Sequence, residues 1–568
     1  MHKTPKRIHK TLSVRPSAPF SLLNSKTREV TIGELLRYLS PQLADDRSFR
    51  LWPPDIFAVA ASILQKCGGY IPLVSHWPPK EDYKTNPKRW IKDIKKTGRR
   101  WREAWVHSNR APAEVVRWWK CILGHEGVLL HEIPGNPTVC NALLQLCAGA
   151  DEASNGVAVP SLARSEDALQ DLIRKYVAPQ QRGGSTLCKM IDKSKLRVLP
   201  KLHAPQSGMT IRSISHHLAV CPSGDVETNW FWLPNSPKAH CLNLLLVPWP
   251  DVTTPSHFRM SEGSLRNMPS EFGFFTYDRP PERPAVLREK IKALLEGARA
   301  LVGTIDGVIL PELALNPFEH AALRDVVTAG GAFLLTGVRQ SSGLDRPGRN
   351  FLSLTVPLPA NLYTTSYEQD KHHRWLLDKR QIVQYGLGGM LDPRRSWWEY
   401  MRLQPRKLSF FAMRPWLTLC ALICEDLARQ DPVTEIVRAV GPNLVVALLM
   451  DGPQLASRWS ARYATVLADD PGSSVLTLTS IGMSQLSRPP YTGAEKSRTI
   501  GLWKDAITGA PIPIELPTGA KAVVLSLVAE YKEEWTADGR SDGGASGYPV
   551  FGGAHPVYLS NHKGLSST

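Results

Sequence analysis

The sequence lacks the long apolar runs of a membrane protein. No segment comes near the roughly 18 consecutive apolar residues that a spanning helix needs, so we expect no membrane association. Residues 1–8 are basic, but the apolar core of a secretory signal does not follow them. We therefore expect a cytoplasmic protein.

The cysteine pattern also excludes two kinds of stabilisation. The nine cysteines form no CxxC pair and no Cys/His spacing typical of metal ligands. An odd number of scattered cysteines argues against a disulfide framework and for a reducing compartment. His216 and His217 have no carboxylate or cysteine at ligand spacing, and the chain has no glycine-rich ATP-binding loop. We expect neither a metal nor another cofactor.

Acidic residues are scarce in the first part of the chain, where Glu29 is the first. Residues 1–110 hold 22 Lys/Arg and nine Asp/Glu, a surplus of 13 within a total net charge of +17. A basic module joined to a nearly neutral body favours an anionic partner for the basic part.

Composition and hydrophobic spacing divide the 568 residues into five segments. We predict a flexible basic tail over 1–27, a basic helical domain over 28–180 and a linker segment over 181–239. Residues 240–530 alternate short apolar runs with helical patterns, which indicates a layered α/β domain. Residues 531–568, rich in Gly, Ser and Asp, are predicted to form a loose tail.

The helical domain includes one strongly basic helix, predicted over 86–105. Its Lys and Arg residues are interleaved with Trp90, Trp101 and Trp105. The basic side chains could contact nucleic-acid phosphates. Alternatively, the tryptophans form a buried stripe and the charges a solvated face. We favour the solvated face.

The segment Leu417–Arg429 (LTLCALICEDLAR) is the most informative part of the α/β domain. Its apolar run predicts a buried strand that ends at Cys424, and residues 425–440 carry apolar side chains at helical spacing. A thiol at a strand-to-helix turn can be partly exposed, have a lowered pKa and face free backbone N–H groups. The alternative is a small buried cysteine of the core.

Two more polar residues lie at the end of a predicted buried strand or just beyond one, namely Glu312 after Val-Ile-Leu-Pro and Lys371, which opens Lys-His-His-Arg-Trp. Attack on an amide or nitrile carbon needs a nucleophile, a base that takes and returns its proton, and a cation for the developing oxyanion. A thiol, a carboxylate and an ammonium group can supply these three roles.

In this order, the segments resemble the motifs of the nitrilase, or carbon–nitrogen hydrolase, superfamily over residues 240–530. Residues 306–315 (DGVILPELAL) resemble the glutamate motif of the family, and residues 370–375 (DKHHRW) resemble its lysine motif. Residues 422–427 (LICEDL) resemble its nucleophile motif, in the Cys-Glu-Asp form of glutaminase-type members. Residues 349–351 (RNF) and 459–464 (WSARYA) resemble two further segments of the family.

This resemblance implies an α-β-β-α sandwich with Cys424 as nucleophile, Glu312 as general base and Lys371 as stabiliser of the tetrahedral intermediate. The backbone N–H of Glu425 would share the oxyanion site. Many members carry a second glutamate about eight residues after the lysine, where this chain has Lys379. Asp378 and Glu399 are the candidates to position the substrate instead.

The sequence thus predicts a cysteine-dependent amidohydrolase that cleaves a small amide or nitrile through a thioester and assembles as a dimer or larger homo-oligomer. The helical domain and residues 196–218 are outside the basic family. This arrangement resembles nitrilase-like regions associated with reverse transcriptases of bacterial antiviral defence, which implies a defence role.

Two alternatives stay open. The nitrilase-like body could be an inactive scaffold or effector whose basic domain binds nucleic acid or a partner enzyme such as a reverse transcriptase. It could also supply glutamine-derived ammonia to a separate synthetase.

Overall fold

The computed structural model describes most of the chain in thirteen stretches: 29–45, 49–71, 86–107, 110–157, 183–205, 208–222, 224, 226–233, 240–261, 269–342, 346–357, 364–488 and 495–559. The predicted tail over 1–27 and the predicted end of the helical domain near residue 180 lie outside the described residues. Across the described parts, no helix combines the length and apolarity needed to cross a membrane.

The described residues from 29 to 157 are mainly helical. Their helices are α1 (Ile32–Leu39), α2 (Pro41–Asp45), α3 (Pro53–Cys67), α4 (Pro87–His107), α5 (Ala113–Gly124) and α6 (Pro137–Ala153). Thr31 caps α1, because its side chain accepts a hydrogen bond from the N–H of Glu34 while Glu34 accepts from the N–H of Thr31. Gly68 ends α3 in the left-handed conformation that glycine adopts most readily.

Helix α4 is the basic helix predicted over 86–105. Trp90 and Trp101 are buried in the core of the helical part, as the buried-stripe interpretation requires. Most of the lysines and arginines of α4 are exposed. The predicted division into a tryptophan stripe and a charged face therefore holds for Trp90 and Trp101, whereas Trp105 is only partly buried.

Beyond residue 183, strands alternate with helices in a mixed α/β arrangement. The helices are α7 (Pro284–Val302), α8 (Pro317–Ala329), α9 (Lys379–Gln384), α10 (Glu435–Val440), α11 (Trp459–Asp469) and α12 (Ile481–Leu486). The strands are β1 (Gly183–Gly184), β2 (Leu196–Pro200), β3 (Leu218–Pro222), β4 (Val226–Trp232), β5 (Cys241–Leu246), β6 (Phe258–Met260), β7 (Phe272–Tyr277), β8 (Gly307–Ile309), β9 (Phe333–Gln340), β10 (Arg349–Pro357), β11 (Thr364–Asp370), β12 (Leu376–Leu377), β13 (Ser396–Glu399), β14 (Arg406–Arg414), β15 (Leu417–Ile423), β16 (Leu444–Leu448), β17 (Ser474–Leu478), β18 (Thr499–Lys504), β19 (Ile512–Glu515), β20 (Ala522–Lys532) and β21 (Ser546–Val557).

Two large sheets face each other. Sheet A has the order β1-β4-β14-β15-β16-β17-β18-β19, and sheet B has the order β11-β10-β9-β8-β5-β20-β21. A third, four-stranded sheet C has the order β12-β13-β7-β6, and β2 pairs with β3 in a separate hairpin. In the centre of sheet A, β15, β16 and β17 run parallel, and in sheet B so do β5, β8 and β9.

The main core fills the space between sheets A and B. Alternate residues of sheet B, such as Leu244 and Leu246, pack against alternate residues of sheet A, such as Leu419 and Ala421. The residue between them on β5, Leu245, points to the other face of sheet B and packs with α7. Helix α11 packs on β17 and β18 of sheet A. The result is four layers in the order helix, sheet, sheet, helix.

Two of the predicted segment assignments are wrong. Residues 181–239 are not a linker, because β4 lies in sheet A, paired with β14 and β1. Residues 531–559 are not a loose tail, because β21 pairs with β20 at the edge of sheet B. The prediction was wrong because it took the Gly and Ser content as a sign of a loose segment. The glycines over 543–553 instead lie in a turn and in the bulged β20–β21 hairpin.

The segment just before β21 also joins the helical part to the sandwich. Arg540 has a side chain with no exposed surface and donates to Asp538, Asp151 and Glu152 at 2.9–3.1 Å. Asp151 and Glu152 belong to α6, whereas Asp538 lies in the loop between β20 and β21. The segment that was predicted to be a loose tail therefore supplies Arg540, whose ion pairs join the helical part to the sandwich.

Candidate active site

The site begins with Glu312, which follows β8 in sheet B. Its Oε1 accepts hydrogen bonds from the Nζ of Lys371 and the Nδ2 of Asn350, both at 2.8 Å. Its Oε2 is buried and has no hydrogen-bond partner among the described residues. The adjacent backbone approaches Gly337 of β9 so closely that a Cβ on Gly337 would lie 2.5 Å from the Cα of Glu312. Only glycine fits there.

Lys371 comes directly after β11 and is completely surrounded by protein. Its backbone N–H donates to the carbonyl of Asn350 at 3.0 Å, which fixes the end of β11 against β10. Its Nζ donates to Glu312 Oε1 and, at 2.6 Å, to Glu399 Oε2. Burial alone would lower the pKa of Lys371, but the charges of Glu312 and Glu399 outweigh it and raise that pKa well above its ordinary value. Lys371 is therefore a fixed ammonium ion.

Asn350 and Glu399 complete the network around the lysine. Asn350 Nδ2 donates to both Glu312 Oε1 and Glu399 Oε1 at 2.8 Å, and so bridges the two carboxylates. Glu399 ends β13 of sheet C and also accepts from the N–H of Trp375 at 3.2 Å. Thus side chains from sheets B and C converge on one buried ammonium group.

Cys424 lies at the end of β15 in sheet A, with a left-handed backbone conformation at φ 45°. Non-glycine residues seldom adopt this conformation, which costs free energy and is concentrated at functional sites. The charges of Glu312 and Lys371 both act on the pKa of its thiol. Glu312 and Lys371 are joined directly by a hydrogen bond, and Cys424 follows a strand of the facing sheet.

The environment of Cys424 is that of the buried cysteine in the second interpretation, not that of a partly exposed thiol with a lowered pKa. The residue is only 3% exposed, and burial, together with the charge of Glu312, raises the pKa of its thiol well above the ordinary value even though Lys371 lowers it. The predicted single helix over 425–440 is also broken into a 3-10 turn at Cys424–Leu427 and helix α10. Pro432 explains the break, since the preceding Asp431 is extended, as residues before proline usually are.

Asp426 ties the cysteine turn to the lysine loop. Its carboxylate accepts from the backbone N–H groups of His372 and His373 at 3.1–3.2 Å and from His373 Nδ1 at 2.9 Å. Asp426 is fully buried. It holds the residue that follows Lys371 against the turn that carries Cys424, across the gap between sheets A and B.

The other two predicted site residues take different positions. Asp378 is exposed and caps helix α9, where its side chain accepts from the N–H of Gln381 at 2.8 Å. It contributes nothing to the Lys371 network. Glu425 directs its side chain to Arg429 at 2.9 Å, but its backbone N–H lies in the first turn of a 3-10 helix, where such groups lack intrahelical acceptors.

A pocket of about 590 Å³, open mouth included, leads to this network. Glu312, Asn350 and Glu399 line its inner part, while Cys424 and Lys371 are not among its lining residues. Its remaining walls come largely from sheet C and the ends of β9 and β10: Phe275, Thr276, Tyr277, Asp278, Leu313, Arg339, Gln340, Ser341, Ser342, Gly348, Arg349, Trp375, Tyr400, Met401 and Met450.

Sequence reasoning missed the parts that Asn350 and Asp426 play. Both stand inside segments that resemble the family, Arg-Asn-Phe and Cys-Glu-Asp, so their presence was visible but their contacts were not. Among the described residues, no group of three or more His, Cys, Asp and Glu side chains could hold a metal ion.

Comparisons with known proteins give a partial likeness. No family model matches the sequence, and neither does a curated protein. Similar solved structures include an amidase from Nesterenkonia sp. (13% identity, 51% of this chain, 92% of that chain, TM-score 0.31). They also include Nit3 from Saccharomyces cerevisiae, a member of branch 10 of the nitrilase superfamily (10%, 51%, 91%, 0.32). A third is a carbon-nitrogen hydrolase from Helicobacter pylori G27 (10%, 48%, 84%, 0.29).

Each of these neighbours, an amidase, a nitrilase-superfamily member and a carbon-nitrogen hydrolase, is similar to about half of this chain. With identities and scores this low, the functional argument depends on the chain's own residues.

Proposed function

We propose that this protein is a cysteine-dependent carbon–nitrogen hydrolase of the nitrilase type. The observation that carries the proposal is the buried Glu312–Lys371–Glu399 network placed so that the charges of Glu312 and Lys371 act on the thiol of Cys424. A structural ion pair would not need a buried acceptor oxygen left unpaired, because such an atom costs free energy.

The first half of the reaction forms a thioester and releases ammonia. Glu312 accepts the proton of the Cys424 thiol as the sulfur attacks the amide carbon, and Lys371 and the N–H of Glu425 stabilise the resulting oxyanion. Glu312 then returns that proton to the leaving nitrogen, and the C–N bond breaks. Burial raises the pKa of Glu312, so its carboxylate is a better base than an exposed one, and its acid form still donates.

The second half regenerates the enzyme. Water gives a proton to Glu312 and its oxygen to the acyl carbon, the C–S bond breaks, and the proton returns to the sulfur. The sum is one amide and one water converted to one carboxylic acid and one ammonia. Because the raised pKa of Cys424 makes a free thiolate rare at neutral pH, proton transfer and attack are coupled.

We assign the substrate-positioning role to Glu399 rather than Asp378. Glu399 lines the pocket and contacts Lys371, whereas Asp378 is engaged in capping α9. Glu399 comes from β13, far along the chain from the eighth position after Lys371, yet it reaches the same ammonium group. The carboxylate of Glu399 can accept a hydrogen bond from the amide nitrogen of the substrate.

The test of the proposed function is ammonia release from a panel of small amides. We expect activity in the wild-type protein and a loss of about 10²–10⁴-fold in kcat/KM for Glu312→Gln, which keeps the shape but removes the base. Glu368→Gln is the matched control, since Glu368 is an exposed carboxylate on neighbouring β11 that pairs with Arg349. Absence of ammonia release by the wild type, or equal losses in the two variants, would contradict the proposal.

A second candidate function, nucleic-acid binding, is favoured by the surface of α4. Lys88, Lys92, Lys96 and Arg99 are exposed, lie three or four residues apart on one face and have no ion-pair partner among the described residues. They span about 16 Å of helix, enough to meet several successive phosphates. We propose that this face contacts a nucleic-acid backbone, which fits the defence role that the sequence resemblance implies.

The salt dependence of binding distinguishes a nucleic acid from a protein as the partner of this face of α4. For a labelled RNA or DNA oligonucleotide, we expect log K to fall linearly with log salt, with a slope reduced by about 2–3 in the triple variant Lys92→Gln, Lys96→Gln, Arg99→Gln. The control is Lys379→Gln with Lys521→Gln, two exposed lysines outside the helical part. If the oligonucleotide does not bind, or binds independently of salt, the proposal of nucleic-acid contact is wrong. A protein partner, such as a reverse transcriptase, then remains for the same face.

A further inference from the structure

The pocket has a distinct outer part with its own charge. Its inner end is formed by buried Glu312, Asn350 and Glu399, whereas Asp278, near the mouth, has a side chain that is 46% exposed. The aromatic residues Tyr277, Trp375 and Tyr400 line the same pocket. A substrate whose amide reaches the inner end therefore extends past aromatic rings toward Asp278.

Both cationic side chains that line the pocket are already engaged. Arg349 donates to Asp370 at 2.6 and 3.0 Å and to Glu368 at 2.7 Å. Arg339 is buried and donates to the carbonyls of Leu313 at 3.2 Å and Arg279 at 3.1 Å. Neither guanidinium group is free to bind a substrate carboxylate with two parallel hydrogen bonds. A substrate carboxylate would also be repelled by the negative charges of Asp278 and Glu399.

Acceptor groups in the pocket remain available. Glu312 Oε2 and Asn350 Oδ1 are buried without a hydrogen-bond partner among the described residues. Asp278 has Arg339 as its ion-pair partner, but the separation of Oδ1 from Nε is 3.8 Å, longer than a hydrogen bond. The exposed carboxylate and the unpaired buried polar atoms of the pocket are therefore hydrogen-bond acceptors, and neither guanidinium group is free, so a cationic ligand complements the charges of the pocket.

We propose that the substrate is an amide that carries a protonated amine at its far end, and that Asp278 is the specificity-determining residue that binds this ammonium group. The proposal rests on the proposed function for the inner end of the pocket. The aromatic residues Tyr277, Trp375 and Tyr400 that line the pocket also suit a cation better than an anion.

The test compares three amides of equal chain length: 5-aminopentanamide (cationic), pentanamide (neutral) and the monoamide of glutaric acid (anionic). We expect kcat/KM in that order, with the cationic amide favoured over the anionic one by about 10-fold or more. In Asp278→Asn, the ratio of cationic to anionic kcat/KM should fall by about 10-fold or more. Asp325→Asn, which removes an exposed carboxylate of α8, should leave the ratio as in the wild type.

Failure of this inference differs from failure of the proposed function. If the amides are hydrolysed but the anionic one is preferred, or if Asp278→Asn does not change the ratio, the assignment of the ammonium site is wrong. If no amide is hydrolysed, the proposed function fails, and binding of the same three compounds by calorimetry decides the inference. Tighter binding of 5-aminopentanamide, lost in Asp278→Asn, supports it, and any other order overturns it.

Discussion

Replacing Cys424 with alanine is expected to lower kcat for ammonia release by on the order of 10⁴-fold or more, because the variant has no atom that can form the thioester. Oxyanion stabilisation and substrate binding remain in that variant, so a small residual rate is expected. The measurement is ammonia release at saturating amide, with the unfolding midpoint determined on the same preparation.

Cys420→Ala is the matched control for this experiment. Cys420 lies on the same strand, β15, is fully buried and also has a thiol pKa raised by burial. Both variants remove one buried sulfur from sheet A, so their costs in stability should be similar. If Cys420→Ala lowers kcat as much as Cys424→Ala does, the loss reflects packing, and Cys424 is not the nucleophile.

Replacing Arg540 with methionine is expected to lower the free energy of unfolding by about 3–5 kcal/mol. The substitution keeps an unbranched side chain but removes the guanidinium group, and so leaves Asp151 and Asp538 buried without their counter-ion. Urea denaturation followed by tryptophan fluorescence measures the change. Trp90 of α4 also donates to Asp538 at 3.1 Å and is one of the 17 tryptophans whose combined emission follows the unfolding.

Arg438→Met serves as the control for charge removal. Arg438 is an exposed residue that pairs with Asp470, which keeps Arg212 as a second partner at 2.7 Å. A pair of this kind contributes about 0–1 kcal/mol. Equal destabilisation by the two variants would contradict the assignment of Arg540 as the charged anchor between the helical part and the sandwich.

The acid sensitivity of this junction has a defined direction. Burial raises the pKa of Asp151, but the charge of Arg540 and the hydrogen bonds from the 216–217 backbone outweigh it and lower the pKa to about 2. A depressed pKa stabilises the folded state above the ordinary value of 3.8, and this contribution is lost as the pH falls toward 2. Without Arg540, that contribution diminishes.

The sequence predicted these candidate site residues because each stands at or just beyond the end of a predicted strand, in a segment that resembles a family motif. Glu312, Lys371 and Cys424 follow strands β8, β11 and β15, and such ends meet where sheets A and B face each other. Local pattern was sufficient here, because strand periodicity and burial depend mainly on neighbouring residues.

The contacts that complete the site were not predictable in this way. Glu399 reaches Lys371 only because sheet C stands beside sheet B, and Asp426 binds the lysine loop across two sheets. Likewise, Arg540 lies in a glycine-rich segment whose composition suggests disorder, yet its partners are nearly 400 positions away in α6. Long-range pairings leave no periodic trace in one sequence, so residue spacing does not reveal them.

The most direct test of the central claim is alkylation by iodoacetamide, a small neutral reagent that itself carries a primary amide. Peptide mapping by mass spectrometry would compare the rate at Cys424 with the rate at Cys241, the exposed cysteine of β5. If Glu312 activates Cys424, the buried thiol will react faster than the exposed one and will lose that advantage in Glu312→Gln. If Cys241 is modified while Cys424 stays intact, the thiol has no activating base, and the hydrolase proposal is wrong.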